Sequence, residues 1–234
     1  PTAAVPCALR WHRYYSHLAA EYDTVYTIHN IAHQGLFPVD ALNGWGFVPE
    51  AFDPRSRDSL EFYGQVNLMK GAMIAAQGIT TVSPSYSWQI QTQDGGFGLD
   101  GVAASNSYKL RGILNGIDYD VWDPATDPRL PAHYDVSDTA GKAECRRRAC
   151  EAFGLENDDR PLVVFVGRLT QQKGVDIMFD ALARFMPERL QAIVIGSGND
   201  YYNRMLDEFA YYHPECVRTV KEFNEDKAHL AYAP

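Results

Sequence analysis

The chain of 234 residues lacks several features that would assign it to a specialised class of protein. It has four cysteines and no C-x-x-C pair, which predicts reduced thiols rather than a disulfide framework. No apolar run is long enough to cross a membrane. The formal net charge is −9, which argues against the basic surface that nucleic acids require. We therefore expect a globular protein with neither a membrane nor a nucleic acid as partner.

The two ends of the chain also lack the usual marks of a terminus. The sequence starts PTAAVPCALRWH, with no initiator methionine and no signal-peptide pattern, and it ends HLAYAP. We therefore expect an internal part of a longer protein.

Strand-like and helix-like segments alternate along the chain, which predicts an α/β fold with parallel sheets. Helices are predicted over 3–20, 65–77, 84–92, 139–153, 175–185 and 199–212. Strands are predicted over 24–29, 79–83, 162–166 and 216–223, and within 109–116 and 190–198. Residues 119–138 are rich in proline and aspartate and read as a connector. The expected organisation is two α/β domains, 1–120 and 121–234, with a cleft between them.

The most informative segment is PLVVFVGRLTQQKGVDIMFDALARF, residues 161–185. Five apolar residues predict a fully buried strand, and a short loop with Gly167, Arg168 and Lys173 leads from it into a helix. Two cations and a helix N-terminus suit a phosphate or diphosphate. Alternatively, Arg168 is a surface ion-pair partner and Lys173 an ordinary first-turn lysine. The loop is not a P-loop, because Gly174 stands where serine or threonine is required.

Other polar residues follow predicted strands, where open α/β sheets bind ligands. His29 and Asn30 follow the first strand, and Asn115 follows another. The spacing of His29 and His33 could suit zinc, but Asn30 replaces the glutamate of the zinc protease motif. The Gly-Ser-Gly sequence at 196–198 lacks the last glycine of a dinucleotide fingerprint, which disfavours a nicotinamide dehydrogenase.

Several motifs together resemble the starch synthase and bacterial-type glycogen synthase family, in the family's order. They are TIHNIAHQGLFP (27–38), ITTVSPSYSWQI (79–90), TQDGGFGL (92–99), GILNGID (112–118) with WDPATD (122–127), GRLTQQKG (167–174), VIGSGN (194–199) and KEFNEDKAHLAYA (221–233). The stretch from His133 to Leu155 is most similar to the class I soluble starch synthases of plants and green algae.

The resemblance implies a GT-B arrangement of two Rossmann-like domains, both incomplete in this chain. It implies a retaining hexosyltransferase that moves glucose from ADP-glucose to the non-reducing end of an α-1,4-glucan, such as amylopectin or a maltooligosaccharide, without metal or other cofactor. The implied catalytic residues are His29, Arg168 and Lys173. The implied donor-binding residues are Asn30, Asn115, Gly167, Arg168 and Lys173, and Gly96, Phe97 and Gly98 are implied on the acceptor side.

The resemblance further implies the stroma of a plastid (chloroplast or amyloplast), or the cytoplasm if the source is bacterial, and complexes with other starch-synthesis enzymes. His33 departs from the family's usual tyrosine. The family's N-terminal lysine-glycine-glycine loop and its catalytic glutamate segment are absent from the chain, so we expect this part to be inactive alone. Two alternatives stay open: a non-catalytic α-glucan-binding scaffold and a UDP-glucose-dependent glucan synthase.

Overall fold

The computed structural model describes residues 2–186, 188–222 and 224–234. The chain forms two compact units, Pro1–Gly116 and Ile117–Pro234. The composition predicts a boundary slightly later, after residue 120. Among the described residues, no helix combines the length and the apolar character that a bilayer crossing needs.

The first unit is built on a parallel sheet of three strands in the order β1-β5-β6. These strands are β1 (Val25–Ile28), β5 (Gly78–Thr81) and β6 (Leu110–Gly112). A small antiparallel sheet in the order β2-β4-β3 contains β2 (Leu36–Phe37), β3 (Glu61–Phe62) and β4 (Gln65–Asn67). The helices of this unit are α1 (Ala4–Trp11), α2 (Ala41–Gly44), α3 (Leu68–Ala75), α4 (Pro84–Gln89) and α5 (Asp100–Ser105).

The helix boundaries follow local chemistry that the apolar pattern alone does not reveal. Asn67 ends β4, and its side chain caps α3 by accepting the backbone N–H of Lys70. The predicted helix over 65–77 is therefore wrong at its start, where three residues form a strand. The helix predicted over 3–20 ends at Trp11, because His12 turns extended and bridges to Phe47. A 3₁₀ turn, Ser16–Ala20, covers the rest of that segment.

The second unit carries another parallel sheet, in the order β7-β8-β9. Its strands are β7 (Leu162–Val166), β8 (Gln191–Ile195) and β9 (Val217–Val220). Its helices are α6 (Gly141–Phe153), α7 (Val175–Ala183), α8 (Asp200–Tyr212) and α9 (Glu225–Tyr232), the last of which the sequence analysis did not predict. The helix α6 ends at Gly154, whose φ of +71° is the left-handed conformation that glycine adopts without strain.

The sequence predicts a fully buried strand at β7, but the most buried strand of the second sheet is β8. Every residue of β8 is buried, whereas every residue of β7 is half-buried. The physical reason is position, because β8 lies between two neighbours and β7 lies at one end of the described sheet. Both units nevertheless have parallel sheets with flanking helices, so the predicted α/β class is confirmed.

Candidate functional site

The first unit gathers polar residues at one edge of its parallel sheet. His29 directly follows β1, Ser83 follows β5 and Asn115 follows β6. Because the three strands are parallel, their carboxyl ends meet at the same edge. Ser83 is already engaged, since its hydroxyl caps α4 by accepting the backbone N–H of Tyr86 at 2.9 Å. His29 and Asn115 are exposed there.

A cavity of about 950 Å³ opens beside His29. Asn30, His33 and Gln34 also line it, so the loop after β1 supplies its polar wall. The other wall is aromatic, and sequence reasoning did not place these rings together: His12, Tyr15, Tyr26, Phe37, Trp45 and Phe47. Aromatic walls with a few polar groups are typical of sites for small organic ligands. No local motif marks these rings, because they come from separate segments.

The loop that carries His29 is held in place by two hydrogen bonds. The side chain of Asn30 accepts the backbone N–H of Ala32 at 3.0 Å. The hydroxyl of Tyr86, on α4, accepts the backbone N–H of Ile31 at 2.9 Å. These contacts fix the backbone that follows His29.

The predicted acceptor-side residues lie on a loop next to this one. Gln34 donates from Nε2 to the carbonyl of Phe97 at 2.9 Å, and it lines the cavity. Phe97 is exposed and has a φ of +51°. Gly96 and Gly98 flank it. None of these three lines the cavity itself, so they are near it but outside its described wall.

In the second unit, the loops that follow β7 and β8 run side by side. The backbone N–H of Gly167 donates to Ile195 O at 2.9 Å, and that of Leu169 donates to Ser197 O at the same distance. Gly196 approaches the carbonyl of Gly167 so closely that a Cβ atom could not be accommodated. Gly196 also has a φ of +150°, which other residues rarely adopt. The paired loops therefore leave Arg168 at a defined place on the edge of the sheet.

Arg168 and Lys173 are both exposed on this loop. Within residues 2–186, 188–222 and 224–234, neither side chain has a hydrogen-bond or ion-pair partner. Lys173 ends a 3₁₀ turn, Gln171–Lys173, directly before α7. The N-terminus of α7 has no side-chain cap, because Gly174 occupies the N-cap position. Cations and the backbone N–H groups of a helix N-terminus are the donors that phosphate oxygens prefer, so this loop stays a candidate anion site.

Residues 1–105 match the family model described as "Starch synthase catalytic domain". The chain is 44% identical to a glycogen synthase of Thermus thermophilus over 216 residues, covering 92% of this chain and 48% of the relative. It is 40% identical to a glycogen synthase of Geotalea daltonii over 233 residues, covering 99% and 48%. The chain thus spans about half the length of the curated relatives it matches.

Two solved structures show the fold. The catalytic domain of starch synthase IV from Arabidopsis thaliana, bound to ADP and acarbose, matches with a TM-score of 0.87 and 32% identity, over 99% of this chain and 48% of that one. The Anabaena protein HepE, in complex with UDP and glucose, matches with a TM-score of 0.51 and 17% identity, over 93% and 46%. The second likeness concerns the fold alone.

The fold is that of the GT-B glycosyltransferases, as predicted. Within that class, the chain is a relative of the starch synthases and bacterial-type glycogen synthases, which confirms the resemblance stated from its motifs. Its closeness to the class I plant and algal enzymes stays a prediction.

Proposed function

We propose that the protein to which this chain belongs transfers glucose from ADP-glucose to the non-reducing end of an α-1,4-glucan, with retention of the anomeric configuration. The relatives are named glycogen synthases, and the Arabidopsis starch synthase IV structure contains ADP and acarbose. A nucleotide sugar and a glucan are the substrates that these names suggest for the present chain. The synthesis of starch, rather than glycogen, is the product we infer from the class I resemblance.

The observation that carries this proposal is the loop between β7 and α7, where the described residues offer Arg168 and Lys173 no hydrogen-bond or ion-pair partner and where α7 has no side-chain N-cap. As the glycosidic bond to the donor breaks, negative charge develops on the departing diphosphate. A cation at about 4 Å, in an effective dielectric of about 20, contributes about 4 kcal/mol before desolvation is counted. Gly167 has a φ of +155°, which side-chain-bearing residues rarely adopt, and precedes Arg168 directly. These residues would bind the diphosphate and stabilise it as it leaves.

His29 and Asn30 are proposed to contact the transferred glucose. Both line the cavity of about 950 Å³, and their loop is anchored by Asn30 Oδ1 and by the hydroxyl of Tyr86. Imidazole and amide groups form directional hydrogen bonds to sugar hydroxyls. Asn115 is exposed at the same edge of the sheet and is proposed as a further donor contact. The reaction as proposed uses no metal and no cofactor.

Location and protein partners are also part of this proposal. The plastid stroma is inferred from the class I resemblance alone, and the bacterial relatives do not support it. A bacterial source would place the enzyme in the cytoplasm. Complexes with other starch-synthesis enzymes are likewise an inference from the resemblance.

The test measures glucose incorporation into glycogen by the protein expressed from the complete reading frame. ADP-glucose and UDP-glucose are compared as donors, and a parallel assay contains EDTA. Lys173→Ala is the test variant. Lys221→Ala is the matched control, because Lys221 is an exposed lysine of the same unit whose ammonium pairs with Asp207. We expect Lys173→Ala to lower kcat/KM for ADP-glucose by about 100-fold or more, equal to about 2.7 kcal/mol of transition-state stabilisation. Lys221→Ala should change it less than about twofold, since exposed ion pairs contribute little.

The other outcomes select the alternatives. Faster transfer from UDP-glucose than from ADP-glucose would show that UDP-glucose is the preferred donor and would favour the UDP-glucose-dependent alternative. A folded protein that binds glucan but transfers glucose from neither donor would favour the scaffold alternative. Full activity in Lys173→Ala would show that Lys173 does not stabilise the departing diphosphate.

A further inference from the structure

The turn between α8 and β9 brings together three side chains of the kinds that hold metals. His213, Glu215 and Cys216 each place one potential ligand atom there, and these three atoms lie within 4.8 Å of one another. The two histidines whose spacing in the sequence could suit zinc, His29 and His33, lie in the other unit. The cluster in the second unit is therefore a separate candidate for a metal site.

The backbone of this turn holds the three residues close together. The carbonyl of His213 accepts the backbone N–H of Cys216 at 3.2 Å and that of Val217 at 2.9 Å. The carbonyl of Cys216 accepts the backbone N–H of Ala192, in β8, at 2.8 Å. These bonds close a tight turn over residues 213–216 and attach it to the middle strand of the described sheet. The fold therefore sets the positions of the three side chains.

The two polar side chains of the cluster are not used for other contacts of their own kind. In the part of the chain that the structure describes, the imidazole of His213 and the carboxylate of Glu215 have no hydrogen-bond or ion-pair partner. The ring of Phe209 packs against the imidazole, with centroids 5.2 Å apart. Cys216 is buried, His213 is half-buried and Glu215 is exposed. A cation can therefore reach the cluster from the solvent side of Glu215.

The chemistry of the three groups suits zinc. Imidazole nitrogen, thiolate sulfur and carboxylate oxygen are the ligands that zinc takes from proteins. Two residues separate His213 from Cys216, which is a spacing at which zinc sites take two ligands from one turn. Tetrahedral zinc, with bonds of about 2.0–2.3 Å, places its ligand atoms about 3.5 Å apart. Atoms that already lie within 4.8 Å of one another reach this geometry by small side-chain rotations.

We propose that His213, Glu215 and Cys216 bind Zn²⁺ or a similar borderline-soft divalent cation, with water as the fourth ligand. Burial raises the pKa of the Cys216 thiol, and the Glu215 carboxylate raises it further. The cation replaces the thiol proton, which leaves to solvent as the metal–sulfur bond forms.

The position of the cluster indicates a structural role for the metal. The turn precedes β9 and so lies at the amino ends of the parallel strands, whereas Arg168 lies beyond the carboxyl end of β7. The metal would therefore join the end of α8 to the start of β9, and it would take no part in the proposed transfer of glucose.

The test adds the metal alone to the protein expressed from the complete reading frame, after EDTA has been used and removed. Co²⁺ is the spectroscopic probe, because a cobalt–thiolate bond absorbs in the near ultraviolet and so identifies cysteine as a ligand. Displacement of Co²⁺ by Zn²⁺ then gives the zinc affinity. We expect Cys216→Ala to lose this absorption. Glu215→Gln and His213→Gln should each weaken zinc binding by about tenfold or more, since loss of an outer-shell partner already costs about tenfold.

Matched controls exist for both kinds of substitution. Glu208→Gln changes an exposed carboxylate of α8, and Cys145→Ala removes a buried thiol of α6. Both variants should keep the absorption and the zinc affinity of wild type. Thermal unfolding gives a second readout, because a ligand that binds only the folded state stabilises it. Zinc should raise the melting temperature of wild type and of Glu208→Gln, and Glu215→Gln should lose most of that rise.

Three results would overturn the site. The first is the absence of cobalt–thiolate absorption in wild type, and the second is an equal loss of it in Cys145→Ala. The third is wild-type zinc affinity in both Glu215→Gln and His213→Gln, which would show that Cys216 binds metal only as a single thiol. If Cys216→Ala does not fold, Glu215→Gln decides, because Glu215 is exposed and glutamine keeps its size and shape.

Discussion

His229 Nδ1 lies 2.5 Å from Asp127 Oδ2, and both side chains are almost completely buried. The imidazole of His229 also stacks on Trp122, with ring centroids 3.6 Å apart and planes 12° from parallel. Asp127 and Trp122 belong to the connector of residues 119–138, and His229 belongs to α9. The composition predicts only a connector for residues 119–138, but a buried polar contact holds this segment against α9.

Removing the carboxylate of Asp127 should loosen α9. Asp127→Ala leaves the buried imidazole without its partner, and an unsatisfied buried polar group costs about 1–3 kcal/mol. Asp127→Asn is the matched control, because its amide oxygen can still accept a hydrogen bond. We expect faster amide hydrogen exchange in peptides from α9 for the alanine variant and a smaller effect for asparagine. Equal protection in the alanine variant and wild type would show that the contact contributes nothing to holding α9.

Acid should weaken the same contact. Burial raises the pKa of Asp127, but hydrogen bonds from the backbone N–H of Arg129 and from His229 outweigh it, so the net pKa lies below its ordinary value. A carboxyl whose folded pKa is depressed adds stability above its unfolded pKa of about 4 and loses it as the pH falls through the folded pKa. Denaturant unfolding followed at pH 6, 4 and 3 should show this loss. The loss should be larger in wild type than in Asp127→Asn, which keeps the other carboxyl groups with lowered pKa values, and equal losses would contradict the prediction.

The four cysteines should resist thiol reagents in the folded protein. All four are free and buried, and burial raises the pKa of the Cys7 thiol to about 12. Thiolate, the reactive form, is therefore scarce at neutral pH. We expect Cys7 to be alkylated by iodoacetamide only after unfolding, as measured by mass spectrometry of its peptide. Rapid labelling of native Cys7 would mean that α1 opens readily.

Gly196 should tolerate no side chain. A Cβ at this position meets the carbonyl of Gly167, and a φ of +150° is strained for alanine. Gly196→Ala should destabilise the protein by about 1–3 kcal/mol and, by displacing the loop of Arg168, weaken the ADP binding that is proposed above. Gly101→Ala is the control, since Gly101 lies in α5 with open space around it and should gain up to about 1 kcal/mol. The two substitutions would be compared by thermal unfolding and by calorimetric titration with ADP.

The parts of the fold that depend on local sequence were predictable. The strands β5 and β8 and the helix α8 follow from apolar periodicity. The loop of Arg168 and Lys173 was predictable because it directly follows a strand. The relative burial of β7 and β8 was not predictable from the sequence, because it depends on which strand lies in the middle of the sheet.

Contacts between segments that are distant in the chain could not be predicted from the sequence. The aromatic wall of the cavity and the contact of Asp127 with His229 join residues that are far apart in the chain. The sequence predicts a helix start where the structure has β4, because three residues carry too little periodicity to distinguish a strand from a helix. The roles of His29, Asn30, Asn115, Arg168 and Lys173 stay predictions, as do those of Gly96, Phe97 and Gly98.

The strand order of the second unit has a consequence for the way the chain folds. Both neighbours of β8 are parallel to it, so no hairpin can start this sheet, and each pairing must close a crossover that contains a whole helix. During synthesis, β7 has no partner in this sheet until residues 191–195 have left the ribosome. Its apolar edge is exposed in the meantime, and such an edge is where a nascent chain is open to chaperones and to aggregation.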